Sequence, residues 1–201
     1  MVKADCGGCN GCSRCCHGMG NSIILDPYDV YRMTTGMGKS MQELLAASVE
    51  LNVVDGVILP NLKMLGTKEA CAYLDEEGRC SIHPYRPGIC RLFPLGRYYE
   101  NGGFSYFLQT GECAKENRSK IKVSKWIDTP DLTRNQQFTL QWHDLLHAME
   151  ERLTGEDEGK QREENLLLLR LFYLLPYEGT IDFYTQFTER MEHWNGQNGQ
   201  I

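Results

Sequence analysis

The chain has 201 residues, of which 41% are hydrophobic and 24% are charged. This length suits one globular domain, and a core of that size does not need disulfides, so the nine cysteines require another explanation. The formal net charge is −6, and no run of Lys or Arg supplies the basic footprint that nucleic-acid binding requires. We therefore expect no nucleic acid among its partners.

The first residues contain no apolar segment, so no secretory signal is predicted. The longest apolar run extends from Leu166 to Leu175 and is interrupted by Arg170. It is about half of the ~20 residues that a membrane-spanning helix needs, so no membrane partner is expected. These features predict a cytoplasmic protein, whose thiols stay reduced.

Residues 6–20 form a loop rich in cysteine and glycine. The sequence Asp26-Pro27 predicts an N-cap followed by a short helix through Tyr31 and Met33. The segment Ser40-Met41-Gln42-Glu43 has the pattern of a capping box, which predicts a second helix to about Val49. Between Asn52 and Leu65, two short apolar runs around Asp55-Gly56 predict a β-hairpin.

The middle of the chain repeats this pattern of apolar runs around a turn. Residues 71–74 and 79–82 flank an acidic turn, and residues 97–100 and 104–108 flank Asn101-Gly102-Gly103, so two further hairpins are predicted. Between them, residues 83–88 contain two prolines and a glycine, which predicts a loop or a single tight turn.

Helical periodicity begins at about residue 131. One helix is predicted to end at residues 154–157, a second to cover about 160–175 and a third about 179–194, with residues 195–200 frayed. The apolar faces of the first and third helices are Phe138, Trp142, Leu145 and Met149, and Phe183, Phe187, Met191 and Trp194. The predicted fold class is α+β: a cysteine-cluster region with β-hairpins, residues 1–125, packed as one unit with a helical region, residues 126–201.

The cysteines of the first loop are spaced for metal binding. The pattern is Cys9-x-x-Cys12-x-x-Cys15-Cys16, with Cys6 one further step upstream. Two thiols separated by two residues can bind one metal across a tight turn, as in zinc sites and iron–sulfur clusters. Neighbouring side chains diverge in most backbone conformations, so the adjacent pair is expected to serve two centres, or one centre and a supporting thiol.

Four more cysteines, Cys71, Cys80, Cys90 and Cys113, follow in the region of the hairpins. Without Cys6 there are eight thiols, which suits two four-thiolate centres. The first four could form one centre and the last four the other, or the two groups could mix. For Cys6, packing as a small buried residue is an alternative, whereas a disulfide framework fits poorly with an odd number of cysteines.

Three parts of the sequence together carry a family pattern: the spacing Cys9-x-x-Cys12-x-x-Cys15-Cys16, residues 71–74, and residues 80–94 with their His-Pro-Tyr-Arg-Pro-Gly-Ile-Cys-Arg-Leu-Phe-Pro segment. This pattern resembles the CxxCxxCC family of zinc- or iron-chelating proteins, the YkgJ-like cysteine-cluster proteins. The resemblance covers about residues 6–115. It implies eight metal ligands: Cys9, Cys12, Cys15, Cys16, Cys71, Cys80, Cys90 and Cys113. Some longer relatives act as flagellin lysine N-methylases with an iron–sulfur cluster, which makes such an enzyme one functional alternative.

The predicted cofactor is one or more iron–sulfur clusters of the [4Fe–4S] type, in a protein that handles electrons or sulfur and meets a redox partner. The alternative is zinc, in a structural module that binds an unknown protein partner. Four thiolates suit both metals, so the sequence does not separate them.

Several other residues are candidates around the cysteines. Arg86 and Arg91 are predicted either to donate hydrogen bonds toward the metal-bound sulfur or to pair with acids at residues 75–77. His17 and His83 are alternative ligands. His143 and His147 lie four apart on a predicted helix, but exposed histidines are common there, and a structural role is favoured.

Overall fold

The computed structural model describes residues 1–5, 12–113 and 117–198. Eight strands lie in it: β1 Val2–Asp5, β2 Val49–Val54, β3 Val57–Leu62, β4 Met64–Leu65, β5 Ala70–Cys71, β6 Leu95–Glu100, β7 Gly103–Leu108 and β8 Ser119–Ile121. The helices are α1 Pro27–Met37, α2 Met41–Ala47, α3 Gly88–Leu92, α4 Val123–Ile127, α5 Leu132–Leu153, α6 Glu158–Leu169 and α7 Phe183–Asn198. Short 3-10 turns cover Arg14–Cys16 and His83–Tyr85. No helix in the described ranges is long and apolar enough to cross a bilayer.

The two predicted N-terminal helices are confirmed, and each begins at a capping box. Asp26 accepts a hydrogen bond from the amide of Asp29, and Ser40 from the amide of Glu43. Helix α1 runs four residues beyond Met33 and ends at Gly38, which adopts the left-handed conformation that glycine allows at no steric cost. Helix α2 ends at Ala47 rather than near Val49, because Val49 already pairs with Leu62 in β2 and β3.

Two of the three predicted hairpins are confirmed. Strands β2 and β3 pair antiparallel around Asp55-Gly56, and β6 and β7 pair around Asn101-Gly102. All four turn residues have positive φ, as a two-residue hairpin turn requires. Both hairpins therefore follow from local turn chemistry.

The predicted hairpin between residues 71–74 and 79–82 forms only in part. Its two sides meet at an isolated antiparallel bridge between Leu74 and Cys80, where the amide of Ser81 donates a hydrogen bond to the carbonyl of Tyr73. Cys71 pairs instead with Met64 across β4 and β5. The loop predicted at residues 83–88 is a 3-10 turn at His83–Tyr85, and α3 then begins at Gly88.

Strand β1 pairs antiparallel with β8, more than one hundred residues later in the sequence. Sequence patterns predicted neither strand, since each is short and the pairing is non-local. Helix α4 follows β8 and packs Ile127 into a small second core with Leu92 and Leu95.

The C-terminal helices are confirmed, with corrected ends. Helix α5 buries the predicted face, and α7 buries Phe183, Phe187 and Trp194. The second predicted helix stops being α-helical at Leu169 and continues as a π-helical turn, Arg170–Leu174, closed by a hydrogen bond from the amide of Leu175 to the carbonyl of Arg170. Residues 195–198 remain helical rather than frayed.

One hydrophobic core contains residues of both predicted regions. It joins Leu25 and Leu62 of the N-terminal half to Trp142 and Tyr173 of the C-terminal helices. The hydroxyl of Tyr173 donates a hydrogen bond to the carbonyl of Leu25, with 3.0 Å between the oxygens. Mixed α+β architecture is thus confirmed, with hairpins in the first half and helices at the end.

Candidate metal centre

Six cysteine side chains line one cavity of about 270 Å³. They come from both parts of the sequence: Cys12, Cys15, Cys16, Cys71, Cys80 and Cys90. All six are partly buried and none of them forms a disulfide. The two groups of thiols that the sequence left separable therefore meet in one place.

Short pieces of regular structure hold these thiols. The 3-10 turn Arg14–Cys16 carries two of them, and the following residue, His17, forms a bridge to Ala70 next to Cys71. The amide of Gly18 also donates a hydrogen bond to the carbonyl of Glu69, at 2.9 Å. These backbone contacts fix the N-terminal cysteine loop against β5.

Cys90 is presented by α3, which a buried carboxylate fastens to α1. The amide of Gly88 donates a hydrogen bond of 2.6 Å to Asp29, and the guanidinium of Arg91 lies 3.9 Å from the same carboxylate. Arg91 also donates a hydrogen bond of 2.7 Å to Thr129. Asp29 and Arg91 are 2% and 4% exposed, so their pairing is internal.

This pairing corrects the role predicted for Arg91. Arg91 does not line the cavity, and its partner is Asp29 rather than sulfur or the acids at residues 75–77. Asp29 lies far away in the sequence, which is why local patterns did not reveal it. Arg86 does line the cavity, and its charge lowers the pKa of Cys15.

The adjacent thiols Cys15 and Cys16 both line this cavity, so they do not diverge to separate sites. The bend of the 3-10 turn keeps both at the cavity. The neighbouring Cys16 thiol lowers the pKa of Cys15 to about 6, with help from Arg86, and the proximity of Cys15 raises the pKa of Cys16. Cys15 is thus the thiol most ready to bind metal as a thiolate.

Three further cavity thiols are held protonated by their surroundings. Burial raises the pKa of Cys71, Cys80 and Cys90, and the neighbouring cysteines raise it further. A bound cation would reverse this balance, because it stabilises thiolates directly. The cavity is therefore a poor place for bare thiolates and a good place for a thiolate–metal centre.

Apolar side chains close the rest of the cavity. Phe93 lines it, whereas Tyr85 does not. Trp126, Met19 and Met64 also line it. Trp126 belongs to the unpredicted α4, and its indole N–H donates hydrogen bonds to the carbonyls of residues 92 and 93, at 3.2 Å each.

Of the eight predicted ligands, Cys9 lies outside the described residues, as does Cys6. Cys12 is described and lines the cavity. Cys113 is half-buried but does not line it.

The histidines divide in the same way. His83 lines the cavity and His17 does not. His143 stacks on Tyr99 with ring centroids 3.7 Å apart, and exposed His147 lies 3.8 Å from Glu151, consistent with structural roles.

The thiols surround the cavity without converging on one point. Within residues 1–5, 12–113 and 117–198, no three Cys, His, Asp or Glu side chains are close enough to hold one metal ion between them. The donors are therefore arranged around a volume rather than around a single ion.

A mixed α+β domain with a cysteine-lined cavity defines a class of metal-binding protein. The family model CxxCxxCC, described as "Putative zinc- or iron-chelating domain", matches residues 8–139, which is more than half of the chain. The protein belongs to this family and is a cysteine-cluster domain of the zinc- or iron-chelating kind. The match extends past the predicted end near residue 115 and includes β8, α4 and the start of α5. No curated protein and no solved structure matches the chain.

Proposed function

We propose that the cysteine cavity holds an iron–sulfur cluster of the [4Fe–4S] type, and that the protein handles electrons or sulfur in the cytoplasm. The arrangement of the thiols carries this proposal. A zinc ion needs four ligand atoms at about 2.0–2.3 Å from one point. A cluster has metal atoms at several corners and is bound by thiolates from different sides. Thiols spread around about 270 Å³ suit the cluster better.

Four of the six thiols come from well-separated parts of the chain and line the cavity together: Cys15, Cys71, Cys80 and Cys90. We propose these four as the ligands. Cys16, adjacent to Cys15 in the chain, then supports a ligand, and Cys12 also lines the cavity.

The apolar wall favours the same proposal. Side chains such as Phe93 and Trp126 limit the access of water to the cavity. Burial and hydrogen bonds to sulfur set the reduction potential of a cluster, and Arg86 supplies a positive charge beside the thiolates.

Metal analysis of protein purified without oxygen tests this proposal. We expect a brown protein with about four iron atoms and four acid-labile sulfides per chain, as a [4Fe–4S] cluster requires. A colourless protein that contains only zinc would refute the cluster and leave a structural zinc module. If iron is found, an assay for methyl transfer to lysine peptides distinguishes an enzyme from an electron carrier.

Single substitutions test the ligand set. Cys15→Ser, Cys71→Ser, Cys80→Ser and Cys90→Ser should each remove most of the iron and the visible absorption. The matched control is Cys113→Ser, which changes a thiol outside the cavity and should keep both. Loss of iron from the control equal to that from the four variants would contradict the set.

A further inference from the structure

The two charged side chains that line the cysteine cavity are both basic. They are Arg79 and Arg86, here called the basic rim, and no Asp or Glu of the described residues lines the cavity with them. His83 also lines it, but burial and the charge of Arg86 lower the pKa of its imidazole, so it is not counted in the rim. Residues 6–11, which precede the cavity cysteines, contain no charged side chain in the sequence. The whole chain carries a net charge of −6, so the basic rim opposes the overall balance.

Neither Arg79 nor Arg86 takes part in the ion pairs found in the described part of the chain. The carboxylates of the acidic turn lie close in sequence: Asp75 accepts a 2.6 Å hydrogen bond from the backbone amide of Arg79, and Glu76 and Glu77 are exposed. Because none of these acids forms an ion pair with the rim, both guanidinium groups can meet a partner.

The two arginines differ in exposure, and this separates two roles. Arg86 is half-buried and lines the cavity beside the thiols. Arg79 is exposed. Water screens an exposed charge from a buried thiolate, whereas the same charge acts strongly on a molecule that approaches from solvent.

An exposed apolar residue adjoins these charges. Ile89 lines the cavity next to Cys90 and is 39% exposed. An apolar contact with arginines around it is the usual composition of a protein–protein interface. A metal centre bound by the thiols would occupy the cavity, so a partner would meet the rim and not the interior.

We propose that the basic rim is the docking face for a redox protein with an acidic surface. This inference rests on the proposed function. One electron passes across the face from the reduced cluster, which is oxidised, to the carrier, which is reduced. Charge complementarity selects the carrier and accelerates its encounter, despite the negative charge of the whole chain.

Two forms of one electron acceptor, of opposite charge, test whether the docking face is positively charged. Protein reduced with dithionite and freed of excess reductant is mixed with native cytochrome c, which is basic, or with succinylated cytochrome c, which is acidic. For the acidic form, we expect the rate of haem reduction to fall at least severalfold as salt rises, because attraction at the rim is screened. A rate that rises with salt would overturn the proposal, because net repulsion would then dominate.

A pair of charge reversals locates the face. Arg79→Glu should slow reduction of the acidic form about tenfold at low salt and have little effect at high salt. Arg162→Glu, at an exposed position on α6, makes the same change in net charge and should leave the rate nearly unchanged. Equal slowing in both variants would show that only net charge matters and would overturn the proposal.

A measurement without electron transfer separates this inference from the proposed function. Trp126 lines the cavity, whereas Trp142 and Trp194 are buried. Iodide should quench tryptophan fluorescence more than caesium does, and Arg79→Glu should reverse this preference, whichever metal is bound. Equal quenching by both ions would overturn the basic rim. Absence of iron with preferential iodide quenching would refute the cluster alone.

Discussion

Asn165 on α6 joins the helical region to the hairpin that supports the cysteine cavity. Its side-chain oxygen accepts a hydrogen bond of 2.6 Å from the amide of Ile58, and its nitrogen donates one of 3.2 Å to the carbonyl of Gly56. The residue is 3% exposed. Strand β3 continues from this point to Leu62, which lines the cavity.

The variant Asn165→Ala should therefore destabilise the whole protein. It leaves the amide of Ile58 without its acceptor, at a cost of about 1–3 kcal/mol for a buried unsatisfied group. Gly56 lies in an exposed turn, so water can replace its lost partner. Alanine has a better helix propensity than asparagine, which offsets roughly 0.5 kcal/mol. The expected net loss is about 1–2.5 kcal/mol.

Urea unfolding followed by two probes measures this effect. In a Trp126→Phe background, the fluorescence of Trp142 and Trp194 reports the C-terminal helices, and release of metal to a chromophoric chelator reports the cavity. Because one core spans both regions, both transitions should shift to lower urea together. If fluorescence shifts while metal release does not, the helical and cysteine regions unfold independently and the reasoning is refuted. Gln137→Ala, at an exposed position on α5, serves as a control and should shift neither transition appreciably.

Three further outcomes are expected. Burial raises the pKa of Asp29 to about 7 from 3.8, so the native state binds more protons than the unfolded state between these pH values. The free energy of unfolding should therefore fall by roughly 2–4 kcal/mol as the pH rises from about 4 to 7. In urea titrations at several pH values, Asp29→Asn should flatten this fall, and an unchanged pH dependence would contradict the reasoning. Arg190→Met removes hydrogen bonds to three backbone carbonyls around the π-helical turn, and thermal unfolding should show a loss of about 3 kcal/mol or more. The Cβ of Gly36→Ala would overlap the ring of Tyr85, at a cost of about 1–3 kcal/mol that exceeds the roughly 1 kcal/mol by which alanine favours helix α1, so this variant should be destabilised by up to about 2 kcal/mol. In a Tyr85→Ala background the same substitution should not destabilise the protein, and an equal loss there would contradict the overlap as the cause.

The fold was predictable where the causes are local. The capping residues Asp26 and Ser40, the turn Asp55-Gly56 and the apolar face around Trp142 each act through neighbours within a few residues. Hydrogen bonds at caps and turns form between nearby groups, so their sequence patterns are informative.

Non-local competition explains the errors. Cys71 pairs with Met64 rather than with the strand predicted after the acidic turn, and β1 pairs with the distant β8. The choice among possible partners depends on what else packs there, which no short window of sequence contains. The π-helical turn has the same origin, because Arg190 of α7 binds its carbonyls.

For the metal centre, the sequence by itself determined the chemistry. Cysteine spacing identified thiols as the candidate ligands, and it identified the family to which the chain belongs. Only the tertiary structure decided which thiols share a cavity. Cys15 meets Cys80 and Cys90 because backbone pairing fixes the N-terminal loop on β5 and because the buried carboxylate of Asp29 holds α3 in place. The type of ligand depends on the residues alone. Which thiols come together depends on how segments far apart in the chain pack against each other.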